Sequence, residues 1–334
     1  MAILSLASIS MAWFSWICIE KPFRNRNIAR AKKILLVSLS GVSAFMFVGM
    51  LGQTGAVPSR LVIEEFEGWR DDSGCVVQGA ANPEHLKSML ANDCLGSEHN
   101  FILIGDSHAE ALSSAFRSVI ENVDGHLLTL ISNGCFPIVG TSREPYQQDC
   151  FLDKRNYWDF IKTTDATIII STRWRLNLVG TRFDNQEGGV EYGSDGKNTV
   201  VEGEADVIDH TIDFLKEVAQ ERRLIIINQI PEAGWNVPQR VARVSKFVRD
   251  QSEIYTSYEV YKNSNELVNN MFSILDADGN VDVLKTDDLV CGGKTQDKCR
   301  NTLNGSSLYR DDDHPSPLFA ALIAERFAEQ ILHD

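Results

Sequence analysis

The chain has 334 residues and carries 46 Asp and Glu against 32 Lys and Arg, which gives a net charge of −14. Residues 1–33 carry six of the basic residues and a single Glu, so the rest of the chain carries −19. Such an acidic chain is poorly suited to binding nucleic acid or anionic lipid headgroups. Its length allows more than one domain.

The first 52 residues contain two uncharged apolar stretches with a basic stretch between them. No charged residue occurs from Met1 to Ile19 or from Ile34 to Ser59. Residues 34–52 are long enough to cross a hydrocarbon core, which predicts a transmembrane helix. The basic loop at residues 21–33 is then expected in the cytoplasm, and the chain after residue 52 outside it. The first stretch lacks the positive start of a signal peptide.

Six of the seven cysteines lie in the part predicted to be outside the cytoplasm, where disulfides are stable. Pairing between sequence neighbours is the simplest arrangement, namely Cys75 with Cys94, Cys135 with Cys150, and Cys291 with Cys299. A zinc site is the alternative. The sequence has neither a C-x-x-C motif nor a paired histidine spacing, so no metal is predicted.

After a linker at residues 53–73, short apolar runs alternate with helical patterns. The predicted strands are Phe101–Ile104, Leu127–Ile131, Ala166–Ile170, Leu224–Ile227 and Val281–Leu284. The predicted helices are Ala109–Glu121, Asn156–Thr163, Ala205–Glu221, Gln239–Phe272 with an internal break, and Ser316–Leu332. This alternation predicts an α/β domain over residues 74–334, with a parallel sheet covered by helices on both faces.

The stretch Leu176–Glu204 departs from this alternation. Residues 188–200 are rich in glycine and contain a Ser-Asp-Gly turn, which is typical of a hairpin. An insertion here would overhang the carboxyl ends of the strands, where open α/β sheets bind ligands. It is either a lid over a substrate or a surface loop without a function.

Ser107 follows the first predicted strand in the run Gly-Asp-Ser and precedes a predicted helix. At such a turn, backbone N–H groups and the helix dipole can stabilise an oxyanion. A nucleophilic serine needs a base, and His314 lies in an Asp-x-x-His motif with Asp311 just before the last predicted helix. We therefore predict Ser107 as nucleophile, His314 as base and Asp311 as the carboxylate that orients it. The alternatives are a helix cap for Ser107 and an exposed loop position for His314.

Together these motifs resemble the SGNH (GDSL-like) hydrolase domain, in the form fused to the C-terminus of bacterial acyltransferase family 3 membrane proteins. The sequence EKPFR at residues 20–24 resembles the end of the last core helix of that membrane domain. Residues 133–137 (NGCFP) and 170–174 (ISTRW) resemble the second and third sequence blocks of the fused subgroup. The resemblance implies an SGNH-hydrolase-like three-layer α/β/α fold with a parallel sheet, preceded by transmembrane helices, with residues 1–20 ending a membrane helix.

The same resemblance suggests further site residues. The family spacing favours Asp311 over Asp312 or Asp313 as the orienting carboxylate. By analogy, the backbone N–H groups of Ser107 and Gly134 are the expected oxyanion donors.

The third-block Asn of the family has no clear counterpart, because Asn177 lies slightly downstream. Arg173 is a candidate electrostatic donor or substrate-binding residue, and its neighbour Trp174 is a candidate substrate-binding residue. A surface salt bridge is the alternative for Arg173. His108 is expected to pack or to form a local hydrogen bond.

In fused proteins of this type, the membrane domain carries an acyl group, usually acetyl, across the bilayer, and the exterior domain passes it to a cell-envelope glycan. The resemblance thus implies an O-acyltransferase without a cofactor, in the bacterial inner membrane with its C-terminal domain in the periplasm. A hydroxyl of a glycan such as lipopolysaccharide O-antigen is the expected acceptor.

Two alternatives remain, a carbohydrate O-acetyl esterase with the same triad and a non-catalytic glycan-binding module. Two spans cannot build the acyl-carrying bundle. The chain is therefore expected to be a C-terminal fragment, or to receive its acyl donor from a partner membrane domain.

Overall fold

The structure is a computed structural model that describes residues 2–21, 31–53, 66–79, 82–143, 147–190, 196–201, 205–247, 253–293 and 297–332. The chain divides into two compact units, Met1–Val62 and Ile63–Asp334.

The first unit contains helix α1 (Ala2–Ser15), a π-helical segment at Trp16–Glu20 and helix α2 (Ala31–Gln53). The predicted transmembrane segment 34–52 lies within α2, whereas residues 22–30 of the predicted basic loop lie outside the described residues. Across the described ranges, no helix has both the length and the apolar character that crossing a membrane requires. The predicted transmembrane helices are therefore not supported.

The second unit contains all remaining elements. Its α-helices are α3 (Pro83–Ala91), α4 (Ser107–Glu121), α5 (Gln147–Ile161), α6 (Trp174–Val179), α7 (Val207–Glu221), α8 (Val237–Phe247), α9 (Tyr258–Ser264), α10 (Glu266–Asp278), α11 (Asp287–Val290) and α12 (Pro317–Phe327), which continues as a π-helical segment at Ala328–Leu332. Its strands are β1 (Val76–Gln78), β2 (Asn100–Gly105), β3 (His126–Ile131), β4 (Thr141–Ser142), β5 (Thr167–Ser171), β6 (Thr199–Val200), β7 (Leu224–Ile227), β8 (Tyr255–Ser257), β9 (Val281–Leu284), β10 (Lys298–Arg300), β11 (Thr302–Leu303) and β12 (Ser306–Ser307).

Six strands form one parallel sheet in the order β1-β3-β2-β5-β7-β9. The five strands predicted from apolar runs are all in this sheet, and the sixth, β1, is too short to give such a run. Gly105 at the end of β2 pairs with Ile131 of β3 and with Ser171 of β5. The loops that follow these three strands therefore begin at one edge of the sheet.

Both faces of the sheet are buried. Along β2, Ile102 and Ile104 belong to one apolar cluster, and Phe101 and Leu103 belong to another. Side chains alternate between the faces of a strand, so a strand buried on both sides needs helices on both sides. The predicted three-layer α/β/α fold is confirmed.

The predicted break within the helical range Gln239–Phe272 is present, but it is larger than an interruption of one helix. The range holds most of α8, then strand β8, helix α9 and the start of α10. Strand β8 is extended because it pairs with β10 in antiparallel fashion. The hydroxyl of Ser257 then accepts a hydrogen bond from the backbone N–H of Val260 and starts α9 as its N-cap.

The predicted hairpin at residues 188–200 is described only in part, because residues 191–195 lie outside the described residues. The last two residues of that range form β6, which pairs with β4 rather than with residues of the predicted hairpin. The lid therefore stays a prediction.

Three disulfides join Cys75 to Cys94, Cys135 to Cys150, and Cys291 to Cys299, which confirms the predicted pairing. The second of these bonds ties the loop after β3 to helix α5.

Candidate active site

The turn between β2 and α4 presents Ser107. Asp106 caps α4, since its Oδ1 atom accepts a hydrogen bond from the backbone N–H of His108 at 2.9 Å. The alternative role of Ser107 as the helix cap is therefore excluded. Gly105 permits the tight turn, because a Cβ atom there would lie 1.8 Å from the carbonyl oxygen of Ser171.

The structure brings together the three residues predicted to form a triad. The Oγ atom of Ser107 lies 2.7 Å from Nε2 of His314, and Nδ1 of His314 lies 2.8 Å from Oδ2 of Asp311. The other oxygen of Asp311 accepts the backbone N–H of His314 at 2.9 Å. With its proton on Nδ1, the imidazole donates to carboxylate and leaves Nε2 to accept from the serine.

A second carboxylate also reaches His314. Oδ1 of Asp313 lies 3.1 Å from Nδ1 of His314, and its Oδ2 lies 2.9 Å from Nε2 of His108. Asp313 is buried, with 2% of its surface exposed. Burial raises the pKa of Asp313, but the positive charge of His314 and the hydrogen bond from His108 outweigh it and hold the pKa well below its usual value.

The carboxylates make the protonated form of His314 favourable. Burial lowers the pKa of His314, but the charge of Asp313 and the hydrogen bond to Asp311 outweigh burial and raise the pKa to about 10. Burial and the charges of Asp313 and Asp311 also raise the pKa of Asp312, to about 6. A site of this kind stabilises the imidazolium that forms when histidine accepts a proton from serine.

Arg173 lies next to this cluster but bonds to carboxylates. Its guanidinium forms a bidentate pair with Glu232, at 3.1 and 2.8 Å, and its Nη1 atom lies 3.1 Å from Oδ2 of Asp313. Burial lowers the pKa of Arg173, but the charges of Glu232 and Asp313 outweigh burial and raise the pKa above its usual value. The alternative of a surface salt bridge is wrong, because this ion pair is buried. The oxyanion and substrate-binding roles of Arg173 stay predictions.

Trp174 is a core residue, and its predicted contact with substrate is not supported. Its side chain is fully buried, and its indole N–H donates to the carbonyl oxygen of Ile227 at 2.8 Å. Its ring meets Phe136 and Phe272 edge to face. A side chain without exposed surface has nothing to offer a ligand in this conformation.

The third block is fastened to the residue before the nucleophile. Oδ2 of Asp106 accepts a hydrogen bond from the hydroxyl of Thr172 at 2.5 Å and from the backbone N–H of Arg173 at 3.0 Å. The side-chain amide of Asn177 donates to Thr172 and to the carbonyl oxygen of Arg173, each at 3.0 Å. The side-chain amide of Asn177 therefore holds the third block in place through hydrogen bonds to that block.

Gly134 lies in the loop after β3, which starts at the same edge of the sheet as Ser107. Its φ angle of +72° favours glycine, and a Cβ atom there would meet nothing within 4 Å. Its carbonyl oxygen accepts a hydrogen bond from Arg143 at 2.8 Å. The role of its N–H as an oxyanion donor stays a prediction.

In the part of the chain that the structure describes, two sets of side chains have the spacing of a metal site, namely His108 with Asp313 and His314, and the run Asp311 to Asp313. Asp313 belongs to both, and its oxygens already bond to the two histidines and to Arg173. The buried charge of Asp313 is therefore compensated by side chains of the protein itself.

A cavity of about 480 Å³ lies elsewhere in the second unit, lined by residues of α5 and α7 that include Trp158, His210 and Phe214. Among the described residues, the triad is not part of its lining. We place the candidate site at the triad, because a serine, a histidine and a carboxylate in hydrogen-bond contact define a reaction, whereas the size of a cavity alone does not.

A serine, a histidine and a carboxylate in hydrogen-bond contact at the carboxyl edge of a parallel sheet define the class of serine-dependent acyltransferases and esterases. The chain belongs to the family described as "SGNH domain (fused to AT3 domains)", whose profile matches residues 74–329. Among curated proteins, none matches at a significant level.

The chain is also similar to several solved structures. The periplasmic domain of a lipopolysaccharide acetyltransferase from Salmonella ser. Paratyphi A is 17% identical, with a TM-score of 0.55 over 77% of this chain and 91% of that one. A family two carbohydrate esterase from Clostridium thermocellum is 12% identical, with a TM-score of 0.37 over 71% of this chain and 64% of that one. A possible lipase from Chitinophaga pinensis is 12% identical, with a TM-score of 0.34 over 71% of this chain and 98% of that one.

Sequence reasoning missed the roles of Asp106, His108 and Glu232 in the site, and it considered Asp313 only as a replacement for Asp311. The Asp of Gly-Asp-Ser before a predicted helix is a recognisable N-cap and was the one available signal. The contacts of His108 with Asp313 and of Glu232 with Arg173 join segments far apart in sequence, so no local pattern indicates them.

Proposed function

We propose that this protein is an O-acyltransferase that passes an acyl group, acetyl in the first instance, to a hydroxyl of a cell-envelope glycan. The observation that carries the proposal is the 2.7 Å contact between Ser107 and His314, with His314 held by Asp311 at 2.8 Å. The family's fusion to acyltransferase membrane domains supports transfer rather than hydrolysis. The name of the Salmonella structure supports lipopolysaccharide as the kind of acceptor.

In the first half of the reaction, Ser107 Oγ attacks the carbonyl carbon of the acyl donor while His314 Nε2 takes the hydroxyl proton. The resulting tetrahedral oxyanion collapses, the bond to the leaving group breaks, and His314 returns the proton to that group. An acyl ester on Ser107 remains.

In the second half, a glycan hydroxyl attacks the acyl ester and gives its proton to His314. The bond between the acyl carbon and Ser107 Oγ then breaks, and His314 returns the proton to the serine. Asp311 holds the imidazole in the required tautomer throughout and stabilises its charged form.

An esterase is the second candidate, because the same residues act when water replaces the glycan hydroxyl. A glycan-binding module without catalysis is the third. The close contacts of Ser107, His314 and Asp311 favour either enzyme over that module, since pure binding has no need of this alignment.

The proposal places the second unit in the periplasm, with the first unit attaching it to the inner membrane. Three disulfides support an oxidising compartment. Helices α1 and α2 expose large apolar side chains, among them Phe14, Phe45 and Met46, which supports apolar surroundings for that unit. A partner membrane domain is proposed to deliver the acyl donor.

The fate of the acyl group tests this proposal. The purified 334-residue chain is incubated with p-nitrophenyl acetate and lipopolysaccharide, and p-nitrophenol, free acetate and glycan-bound acetate are measured. A transferase moves acetyl to the glycan, and Ser107→Ala stops both p-nitrophenol release and glycan acetylation. Release of all acetyl as free acetate establishes the esterase instead, and no turnover in the unmodified protein favours the binding module.

A further inference from the structure

Asp313 differs from Asp311 in what holds it. The side chain of Asp311 is 37% exposed, and its described hydrogen bonds stay within its own loop, to His314 and to the backbone N–H of Asp313. Asp313 is buried, and its carboxylate reaches outside the loop to His108 and to Arg173. Both carboxylates nevertheless reach the same nitrogen of His314.

We infer that Asp313 is a second positioning carboxylate for His314, which shares the Nδ1 proton with Asp311 and fixes the base relative to the nucleophile. This inference rests on the proposed function and adds a residue role to it. His108 and Arg173 act in turn by holding Asp313.

The first argument is mechanical. His108 directly follows Ser107 in α4, and Arg173 lies two residues after the end of β5, where its backbone N–H donates a hydrogen bond to Asp106. Asp313 thus ties the histidine loop to two elements that also fix the nucleophile. Asp311 aligns the ring within the loop, whereas Asp313 aligns the loop with the sheet.

The second argument is electrostatic. Arg173 is already paired in bidentate fashion with Glu232, so it cannot cancel the charge of Asp313 alone. The remaining negative charge faces the ring of His314, where it stabilises the imidazolium of the transition state.

Other titratable groups also face this region. Asp311 and Asp312 lie in the same loop, and the ring of His108 lies 5.1 Å from that of His314 between centroids. Burial lowers the pKa of Arg310, and the charges of Asp311 and Asp313 act in the opposite direction. A test of Asp313 must therefore separate its effect from that of the neighbouring carboxylates.

Three single variants of the full chain make this separation, namely Asp311→Asn, Asp312→Asn and Asp313→Asn. Each removes one charge with little change in shape. The measurement is kcat/KM against pH with p-nitrophenyl acetate, with unfolding followed by circular dichroism as the check on folding.

Asp311→Asn should lose no more than about 100-fold in kcat/KM, because Asp313 still accepts the Nδ1 proton. When a single carboxylate orients the histidine, the corresponding Asn variant loses about 10⁴-fold.

Asp313→Asn should move the acidic limb of the profile down by about 1 pH unit or more, since an opposite charge at this distance favours the charged ring. Asp312→Asn serves as the matched control and should leave that limb in place.

A loss near 10⁴-fold in Asp311→Asn overturns the inference, and this partly exposed position can be replaced without threatening the fold. A folded Asp313→Asn variant with an unmoved acidic limb overturns it as well. If Ser107→Ala retains full activity in the same assay, the proposed function fails instead, so the two failures are distinguishable.

Discussion

Ser107 Oγ lies 2.7 Å from Nε2 of His314, although 207 residues separate the two in sequence. The helices next to them explain the contact. Helix α4 begins at Ser107 and α12 begins three residues after His314, and the two helices pack together through Phe116 and Phe327, whose ring centroids are 4.8 Å apart. Apolar packing thus brings the nucleophile and the base to the same edge of the sheet.

The activity should depend on pH through His314. Because only the neutral ring can accept the serine proton, and its pKa is raised to about 10, kcat/KM for an ester should rise from neutral to alkaline pH with a midpoint near 10. The measurement is a pH–rate profile of the full chain. A midpoint near the ordinary histidine value of about 6.5 would contradict the described surroundings of the ring.

Stability should follow the same group with a definite sign. A histidine whose pKa is higher in the folded state stabilises the fold below its unfolded pKa of about 6.5, and this contribution is lost as pH rises through 10. The unfolding temperature should therefore fall more between pH 7 and 10 in the unmodified chain than in His314→Gln. Identical slopes in that window would count against the raised pKa.

Asp106→Ala should cost more than the loss of a helix cap. Asp106 caps α4 and also binds Thr172 and Arg173. Asp206 caps α7 through the backbone N–H of Ile208, and its only other described side-chain contact is an exposed ion pair with Lys197, so it serves as the control. Each variant should lose about 1 kcal/mol for the cap. Asp106→Ala should lose a further 1–3 kcal/mol or so, since it leaves buried donors without an acceptor, and esterase activity should fall with it. Equal losses of stability, with activity retained in both, would show that Asp106 is a cap alone.

The segment before the matched domain should contribute to its stability. In the predicted linker 53–73, the carboxylate of Asp71 accepts hydrogen bonds from Ser113 at 2.7 Å and from Arg117 at 2.8 Å, both on α4. Asp71→Ala should therefore destabilise the second unit by about 1–3 kcal/mol, as hydrogen bonds to charged groups do. Asp72→Ala is the control, because that neighbouring side chain is exposed. If both variants unfold at the same denaturant concentration, residues 66–73 are only a linker.

The apolar runs of β2, β3, β5 and β7 made the sheet predictable, because strands buried on both faces carry no polar alternation. The same signal failed at β8, whose extended form depends on its partner β10 and not on its own sequence. A prediction from local pattern works where the element is stabilised by its own burial.

In the candidate site as well, residues in local motifs could be predicted, and contacts between distant segments could not. Ser107, Asp311 and His314 lie in short motifs that indicate their chemistry. The contacts of Asp313 with His108 and Arg173 instead depend on the fold, which brings α4, the residues after β5 and the histidine loop to one edge of the sheet. Trp174 was misjudged because its position beside Arg173 does not tell which way the side chain points. It faces the core, where Phe136 and Phe272 enclose it.

The central claim is that Ser107 forms the acyl-enzyme, and detection of that ester tests it most directly. The full chain is mixed with p-nitrophenyl acetate, quenched in acid and digested, and the peptide that contains Ser107 is analysed by mass spectrometry. Ser118→Ala removes an exposed hydroxyl from the same helix and is the matched control. We predict an acetyl group on Ser107 in the unmodified chain and in Ser118→Ala, and a loss of turnover of about 10³-fold or more in Ser107→Ala. Undiminished turnover in Ser107→Ala, with acetyl absent from that peptide, would contradict the claim.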